Sequence, residues 1–172
     1  FAQVEFPLGP RLRVIGGARV EQWRLDLLTT TVGGVTYPVG RDNTDVLPAL
    51  GITYDLAAAH VLRLSATQTL SRPEYREMSP VNYRDLLGGL TVFGNPALER
   101  ALIQNFDARW EWYPNPGEIL SIGAFAKRFD RPIEKVLVAT TGANALSFVN
   151  ADAAYNYGVE LEVRKNLISV TP

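Results

Sequence analysis

The sequence contains no cysteine and a single histidine, His60. Their scarcity excludes a zinc finger, an iron–sulfur cluster, a disulfide scaffold and a thiol enzyme. An excess of one charge is also missing. The 17 Lys+Arg residues face 18 Asp+Glu, a net of −1, so there is no general basic footprint for nucleic acid. Long apolar runs are absent too. The longest uncharged stretch, Val136 to Ala151, is interrupted by Thr, Asn, Ser and Gly, whereas a spanning helix needs about 20 mostly apolar residues. No Gly-rich phosphate loop, nucleophile elbow or zinc signature occurs. The opening Phe1-Ala-Gln-Val-Glu-Phe6 lacks a signal peptide's basic region and apolar core, and there is no initiator Met. The expectation is a mature, trimmed or partial chain.

What is present is alternation. A hydrophobic content of 47% is too high for disorder, and 172 residues suit one domain or a piece of something larger. The periodicity is two, the mark of half-exposed strands. Leu62, Leu64, Ala66 and Leu70 share a face, with Gln68 the exception, opposite Arg63, Ser65, Thr67 and Thr69. Phe106, Ala108, Trp110 and Trp112 oppose Asn105, Asp107, Arg109 and Glu111. Tyr155, Tyr157, Val159, Leu161 and Val163 oppose Asn156, Gly158, Glu160, Glu162 and Arg164. Residues 12–27, 47–56 and 119–129 read as three further strands, the first losing its phase near Gln22 and Trp23. No segment shows a long helical period, so the fold class is all-β, with about six antiparallel strands of roughly ten residues.

The connections sort by length. Ala57-Ala-Ala-His60 and Pro114-Asn-Pro-Gly-Glu118 are short turns, and the chain after Lys165 has room for a third. The intervening links, about 28–46, 71–103 and 130–154, are long. In an up-and-down sheet this puts the short turns at one end and the long loops at the other, as in transmembrane β-barrels. A strand of ten or eleven residues is about 35 Å long at ~3.3 Å per residue. Tilted by about 45°, it crosses the ~25 Å apolar band of an outer membrane. Tyr54, Trp112 and Tyr113 fall by the short turns, and Trp23, Tyr155 and Tyr157 by the long loops, where aromatic belts lie. Six strands at ~4.8 Å make an arc of about 29 Å. Single-chain barrels start at about eight strands and tolerate no open edge in lipid, so the strands are expected to be an incomplete portion of a larger barrel.

Several strings, in order, resemble the barrel of TonB-dependent outer-membrane receptors. They are Leu12-Arg-Val-Ile-Gly-Gly-Ala-Arg-Val-Glu21, Val46-Leu-Pro-Ala-Leu-Gly-Ile-Thr-Tyr54 and Leu62-Arg-Leu-Ser-Ala-Thr-Gln-Thr-Leu-Ser-Arg-Pro-Glu-Tyr-Arg-Glu77. Gly94-Asn-Pro-Ala-Leu98, Asn105-Phe-Asp107, Glu111-Trp-Tyr-Pro114, Phe125-Ala-Lys-Arg-Phe-Asp-Arg-Pro-Ile-Glu134 and Asn156-Tyr-Gly-Val-Glu-Leu-Glu162 follow. The resemblance covers about 11–165 and matches the family's mid-to-late barrel. It implies a large plugged barrel of the 22-strand class in the bacterial outer membrane. Its implied partners are membrane lipid, a plug domain, TonB and an unidentified solute. No plug, TonB-contacting segment or C-terminal aromatic strand is recognisable. Residues 1–172 therefore read as part of a β-barrel domain. Ser71-Arg-Pro73 is expected to end a strand, Ala97–Leu102 to form at most a helical turn, and Gly123 and Gly158 to mark a bulge or a close approach.

Two residue sets are candidates for function. Arg63, Asp107, Arg109, Glu111, Lys127, Glu160, Glu162 and Arg164 place mixed charge on the polar strand faces, suited to a lumen wall contacting a plug or passing substrate. The alternative for each is a solvated, self-neutralising face. Arg72, Tyr75, Arg76, Tyr83 and Arg84 place cations and aromatics in the longest loop, suited to carboxylate, phosphate or sugar-ring recognition. Their alternative is an ordinary exposed loop. Glu160 with Glu162, or Asp107 with Glu111, does not single out a hydrolase, because residues i, i+2 and i+4 line any polar strand face. No catalytic residue, cofactor or metal is expected, and His60 is expected to be solvated in its turn.

The function expected is import of a bulky, scarce solute (an iron chelate, cobalamin or a glycan). A soluble or surface-exposed β-sheet binding module remains the competing class, and a barrel enzyme a third. The first two differ over Leu62, Leu64, Trp110 and Leu161, which pack into a core in the module and face lipid in the barrel.

Overall fold

The computed structural model describes residues 1–30, 34–84, 89–140 and 143–166. Seven antiparallel strands form one sheet. In spatial order they are β1 (Ala2–Pro7), β2 (Leu12–Thr30), β3 (Thr36–Ala57), β4 (His60–Ser71), β7 (Ala101–Trp112), β8 (Ile119–Asp130) and β11 (Ala153–Arg164). Two long excursions leave this sheet. One, between β4 and β7, carries the four-residue helix α1 (Tyr75–Met78), β5 (Asn82–Arg84) and β6 (Thr91–Phe93). The other, between β8 and β11, is the hairpin of β9 (Ile133–Thr140) and β10 (Ala143–Asn150). They meet in a second sheet, β5-β6-β10-β9, closed by a parallel β6–β10 pairing at Ala145 and Leu146.

The expected strands are therefore present, and the regions read as long loops are more structured than expected. Residues 28–46 mostly extend β2 and β3 in unbroken antiparallel register from Leu12↔Tyr54 to Thr30↔Thr36. β1 was not anticipated; its register Ala2↔Ala18 to Pro7↔Arg13 makes it the sheet's first strand. The turns β1–β2, β3–β4 and β7–β8 share one end. Gly9 and Gly117 supply positive φ (82° and 81°) in two of them. The third short turn expected after Lys165 falls largely in 167–172, outside the described residues. Ala97–Leu102 is not helical: Asn95 to Leu98 forms a turn and β7 begins at Ala101.

The two faces differ in chemistry. Across the cross-strand row Tyr54, Leu62, Trp110, Ile122 and Leu161, and the rows above it, one face is apolar. Leu64 is 40% exposed and Leu161 68%, with Leu50, Phe106, Ile122 and Val159 also exposed. A soluble sandwich would bury these side chains; a lipid-facing wall leaves them uncovered by protein.

At Gln22 the phase of β2 is not lost; its chemistry inverts. Leu12, Val14, Ala18 and Val20 point to the apolar side, followed on that same side by Gln22, Arg24 and Asp26. On the other side Arg13, Arg19 and Glu21 give way to Trp23, Leu25 and Leu27. Leu25 and Val39 are buried against Met78, Val92, Leu98 and Phe148 of the loop segments, with Trp23, Leu27, Tyr83, Ile133 and Leu146 packed around them. The parity is constant because the strand is regular. What changes is what the apolar side chains face, from a side uncovered by protein to folded loops on the other. Met78 and Leu98, at 0% and 1% exposure, each contribute roughly 1.5–3 kcal/mol by burial. Trp23 is thus part of this loop core and not of an outer aromatic belt, whereas Tyr155 and Tyr157 are exposed on the apolar side.

Candidate functional site

All eight charged wall candidates fall on the polar face, because the register keeps them in phase. Arg63 pairs with Arg109, and Ser65 with Asp107. Arg109 pairs with Gly123, Glu111 with Ser121, and Asn105 with Lys127. Glu160 pairs with Gly123, Glu162 with Ser121, and Arg164 with Ile119. Five of them join into one network. Buried Glu111 accepts hydrogen bonds from Arg63 Nε at 2.9 Å, Arg109 Nε at 3.0 Å and the Tyr113 hydroxyl at 2.9 Å. Arg109 Nη2 also donates to Glu162 at 2.5 Å, and Arg164 Nη2 donates to Glu162 at 3.1 Å. A buried carboxylate with this many donors is fully compensated.

Among the described residues, Asp107 accepts a side-chain hydrogen bond only from Ser65 Oγ, at 3.2 Å. Lys127 and Glu160 have no ion-pair partner among the described residues. With Asp107 and Arg109 they line a shallow cleft across β7, β8 and β11. The polar wall therefore has a self-neutralised lower part and, above it, positions whose charge is not engaged.

The two mid-strand glycines serve different ends, and neither marks a bulge; the register irregularity lies at Asp55/Ala57. The Phe125 ring lies over Gly158, where a Cβ would stand 2.7 Å from Cζ. Buried Gly123 leaves space beside Ala108 and Glu160.

The loop candidates separate. Arg72 is bound within the fold. It is 2.8 Å from Glu21 and 3.5 Å from Asp45, and its guanidinium lies 5.6 Å from the Trp23 ring centre. Buried Asp45 is also paired with Arg100. Tyr83 packs against the loop core. Tyr75, Arg76 and Arg84 are exposed. Tyr75 and Arg76 border an open cleft with Trp23, Arg72, Pro73 and Glu74. Helix α1 is held there by the Glu74 N–H donating to Glu77 at 2.8 Å, the return half of a capping box.

Two asparagines that sequence reading did not single out clasp the excursions together. Asn95 Nδ2 donates to the Phe148 carbonyl at 2.9 Å, and its Oδ1 accepts the Ala97 N–H at 2.9 Å. Asn150 donates to the carbonyls of Glu99 and Arg131 at 2.9 and 2.8 Å and accepts the Glu99 N–H at 2.8 Å. Their only sequence signal was adjacency to turns: Asn95 sits inside Gly94-Asn-Pro96. His60 is not simply solvated. Its ring stacks on Trp110 and Trp112, with centroids 5.6 and 5.9 Å away.

Comparison with known proteins identifies the architecture. The family model described as TonB dependent receptor-like, beta-barrel matches residues 1–169. No curated protein matches the chain in sequence. Among solved structures, the siderophore receptor PirA from Pseudomonas aeruginosa superimposes with a TM-score of 0.71 at 16% identity, over 94% of this chain and 29% of that one. The Serratia marcescens hemophore receptor HasR, solved with its hemophore HasA and heme, gives 0.75 at 13%, over 94% and 30%. The copper transporter OprC gives 0.67 at 15%, over 92% and 25%. The chain thus spans less than a third of the length of these solved proteins.

Proposed function

The chain belongs to the TonB-dependent receptor β-barrel family of the bacterial outer membrane, and from that premise we propose that it forms part of the wall of a receptor importing a bulky, scarce solute. The class is an iron chelate, cobalamin or a glycan. The rest of the barrel, a plug domain and the TonB contact belong to the same receptor outside these residues. Its role is transport, not catalysis. The observation that carries this reading is the two-faced seven-stranded sheet. Its outer face is apolar and uncovered, its inner face is polar and ion-paired, and its elaborated loops gather at one end.

In this reading the polar face lines the lumen. The Arg63–Glu111–Arg109–Glu162–Arg164 network is a stiff part of the wall, already neutralised. Asp107, Lys127 and Glu160 offer the charge that a plug or passing solute meets. Solute is captured at the loop end, where Tyr75, Arg76 and Arg84 supply exposed aromatic and cationic groups. Force relayed from TonB then displaces the plug.

The test is energised uptake. Cells carrying the receptor take up one of the three solute classes, and uptake stops when TonB is removed. A native protein that stays soluble without detergent and fails to float with outer-membrane lipid overturns the reading.

A further inference from the structure

The outward face of β8 runs Leu120, Ile122, Ala124, Ala126 and then Arg128. Arg128 belongs to neither candidate set, and the network on the polar face does not use it. Arg128 is exposed and has no ion-pair or hydrogen-bond partner among the described residues. The next outward residue, Asp130, is already engaged by Arg131 at 3.5 Å.

The register shows what surrounds this cation. Gln68 pairs with Gln104, Gln104 with Arg128, and Arg128 with Tyr155, a single row over β4, β7, β8 and β11. Directly below lie Ala66, Phe106, Ala126 and Tyr157. Tyr155 and Tyr157 are 68% and 81% exposed. Amphipathic rings of this kind sit at headgroup level. The row lies toward the elaborated-loop end, which is the extracellular side of such barrels.

An arginine on the lipid face is most costly at the bilayer centre and nearly free at the interfaces. Its long stem lies along apolar surface while its head seeks a polar partner. With no acidic side chain in this row or the row below it, the group best matched to a planar, two-pronged guanidinium is a phosphate. We propose that Arg128, flanked by Gln104 and Tyr155, docks the phosphate headgroup of an outer-leaflet lipid, whose acyl chain lies over Ala126, Ala124 and Phe106. This rests on the outer-membrane placement of the barrel and is independent of the solute imported.

The test uses the receptor purified in detergent–phosphatidylcholine micelles. Phosphatidic acid is the probe, and bound lipid is read by native mass spectrometry with no solute present. Wild type is expected to retain phosphatidic acid, and Arg128→Gln to lose about tenfold in retention. Arg128→Lys, which keeps the charge without the fork, is expected to fall between them. Arg24→Gln removes an outward arginine already paired with Asp42 and is expected to leave retention unchanged. Heat-modifiable migration on gels reports that each variant remains a folded barrel. Equal retention by Arg128→Gln and wild type overturns the proposal. So does equal retention of diacylglycerol, or displacement by inorganic phosphate at matched concentration. Because no solute enters the assay, these results leave the transport reading to its own uptake test.

Discussion

Arg109 reaches across an entire strand to Glu162, with Nη2 2.5 Å from the carboxylate oxygen. Strand β8 lies between them, and the residues it turns to this face are Gly123, opposite Arg109, and Ser121, opposite Glu162. Both are small and buried, so the guanidinium passes over them. The side chains are 35% and 39% exposed, and water screens the pair. A double-mutant cycle with Arg109→Met and Glu162→Met is therefore expected to give a coupling of about 1 kcal/mol by chemical unfolding. Ser121→Leu is expected to destabilise by about 1–3 kcal/mol through overpacking and to abolish that coupling. A coupling that survives Ser121→Leu shows that the passage over β8 is not what joins the two residues.

Gly94 stands where no side chain fits. A Cβ there would collide with the Ser79 carbonyl oxygen and stand 2.7 Å from that of Arg76, backbone atoms of the α1 C-cap and of α1 itself. The backbone of the loop must shift to accept one, and with it the Asn95 bond to Phe148 that joins the two excursions. Gly94→Ala is expected to cost about 1–3 kcal/mol and to raise amide exchange across α1, β6 and β10, leaving the β4–β7 and β8–β11 ladders protected. Uniform exchange over both sheets contradicts this separation.

The six expected strands were legible because the long sheet strands are amphipathic, one face apolar and the other polar, so period two survived in the residues; β1 and the hairpin of β9 and β10 were not read. The upper parts of β2 and β3 were not, for a physical reason visible at Gln22 and Trp23. There the apolar residues move to the opposite face without a change of register, because Met78, Leu98 and Phe148 pack against Leu25 and Val39. A strand whose faces exchange chemistry midway reads as a loop when periodicity is the only signal. The short β5 and β6 could not be seen at all: three-residue strands carry no period. That the eight charged candidates share one strand face was legible from parity alone. The division of the loop residues into Arg72, held by Glu21, and Arg76, left exposed, depended on contacts distant in sequence.

Acid should loosen the short-turn end through Glu118. Its carboxylate accepts from Asn115 Nδ2 at 2.8 Å and pairs with Lys165 Nζ at 2.7 Å. The Asn115 hydrogen bond, then Lys165, hold its pKa below the usual carboxylate range. A carboxylate lowered in the native state stabilises the fold above its unfolded value, about 4.3. That contribution is lost as pH falls through the native value. Wild type is expected to exceed Glu118→Gln in unfolding midpoint at neutral pH, with the margin shrinking as the solution is taken below that range. A margin independent of pH shows that the carboxylate's charge contributes nothing.

Arg72 and Arg76, four residues apart, are expected to behave oppositely. Arg72 lies against the Trp23 ring and between the carboxylates of Glu21 and Asp45, and Asp45 is buried. Arg72→Gln withdraws one of the two cations facing that buried charge, leaving Arg100 as the other. It is expected to cost about 1–3 kcal/mol and to lower the midpoint of thermal unfolding. Arg76 borders the same cleft with its guanidinium in solvent and no ion-pair partner among the described residues. Arg76→Gln is expected to change stability by less than about 0.5 kcal/mol. If the cleft captures solute, the same substitution weakens solute binding by about tenfold, the loss of one charge-assisted contact. Calorimetric unfolding and equilibrium solute binding, measured on both variants, separate the roles. Should Arg76→Gln bind solute as wild type does, capture does not pass through this cleft, and the exposed Arg84 becomes the cation to examine.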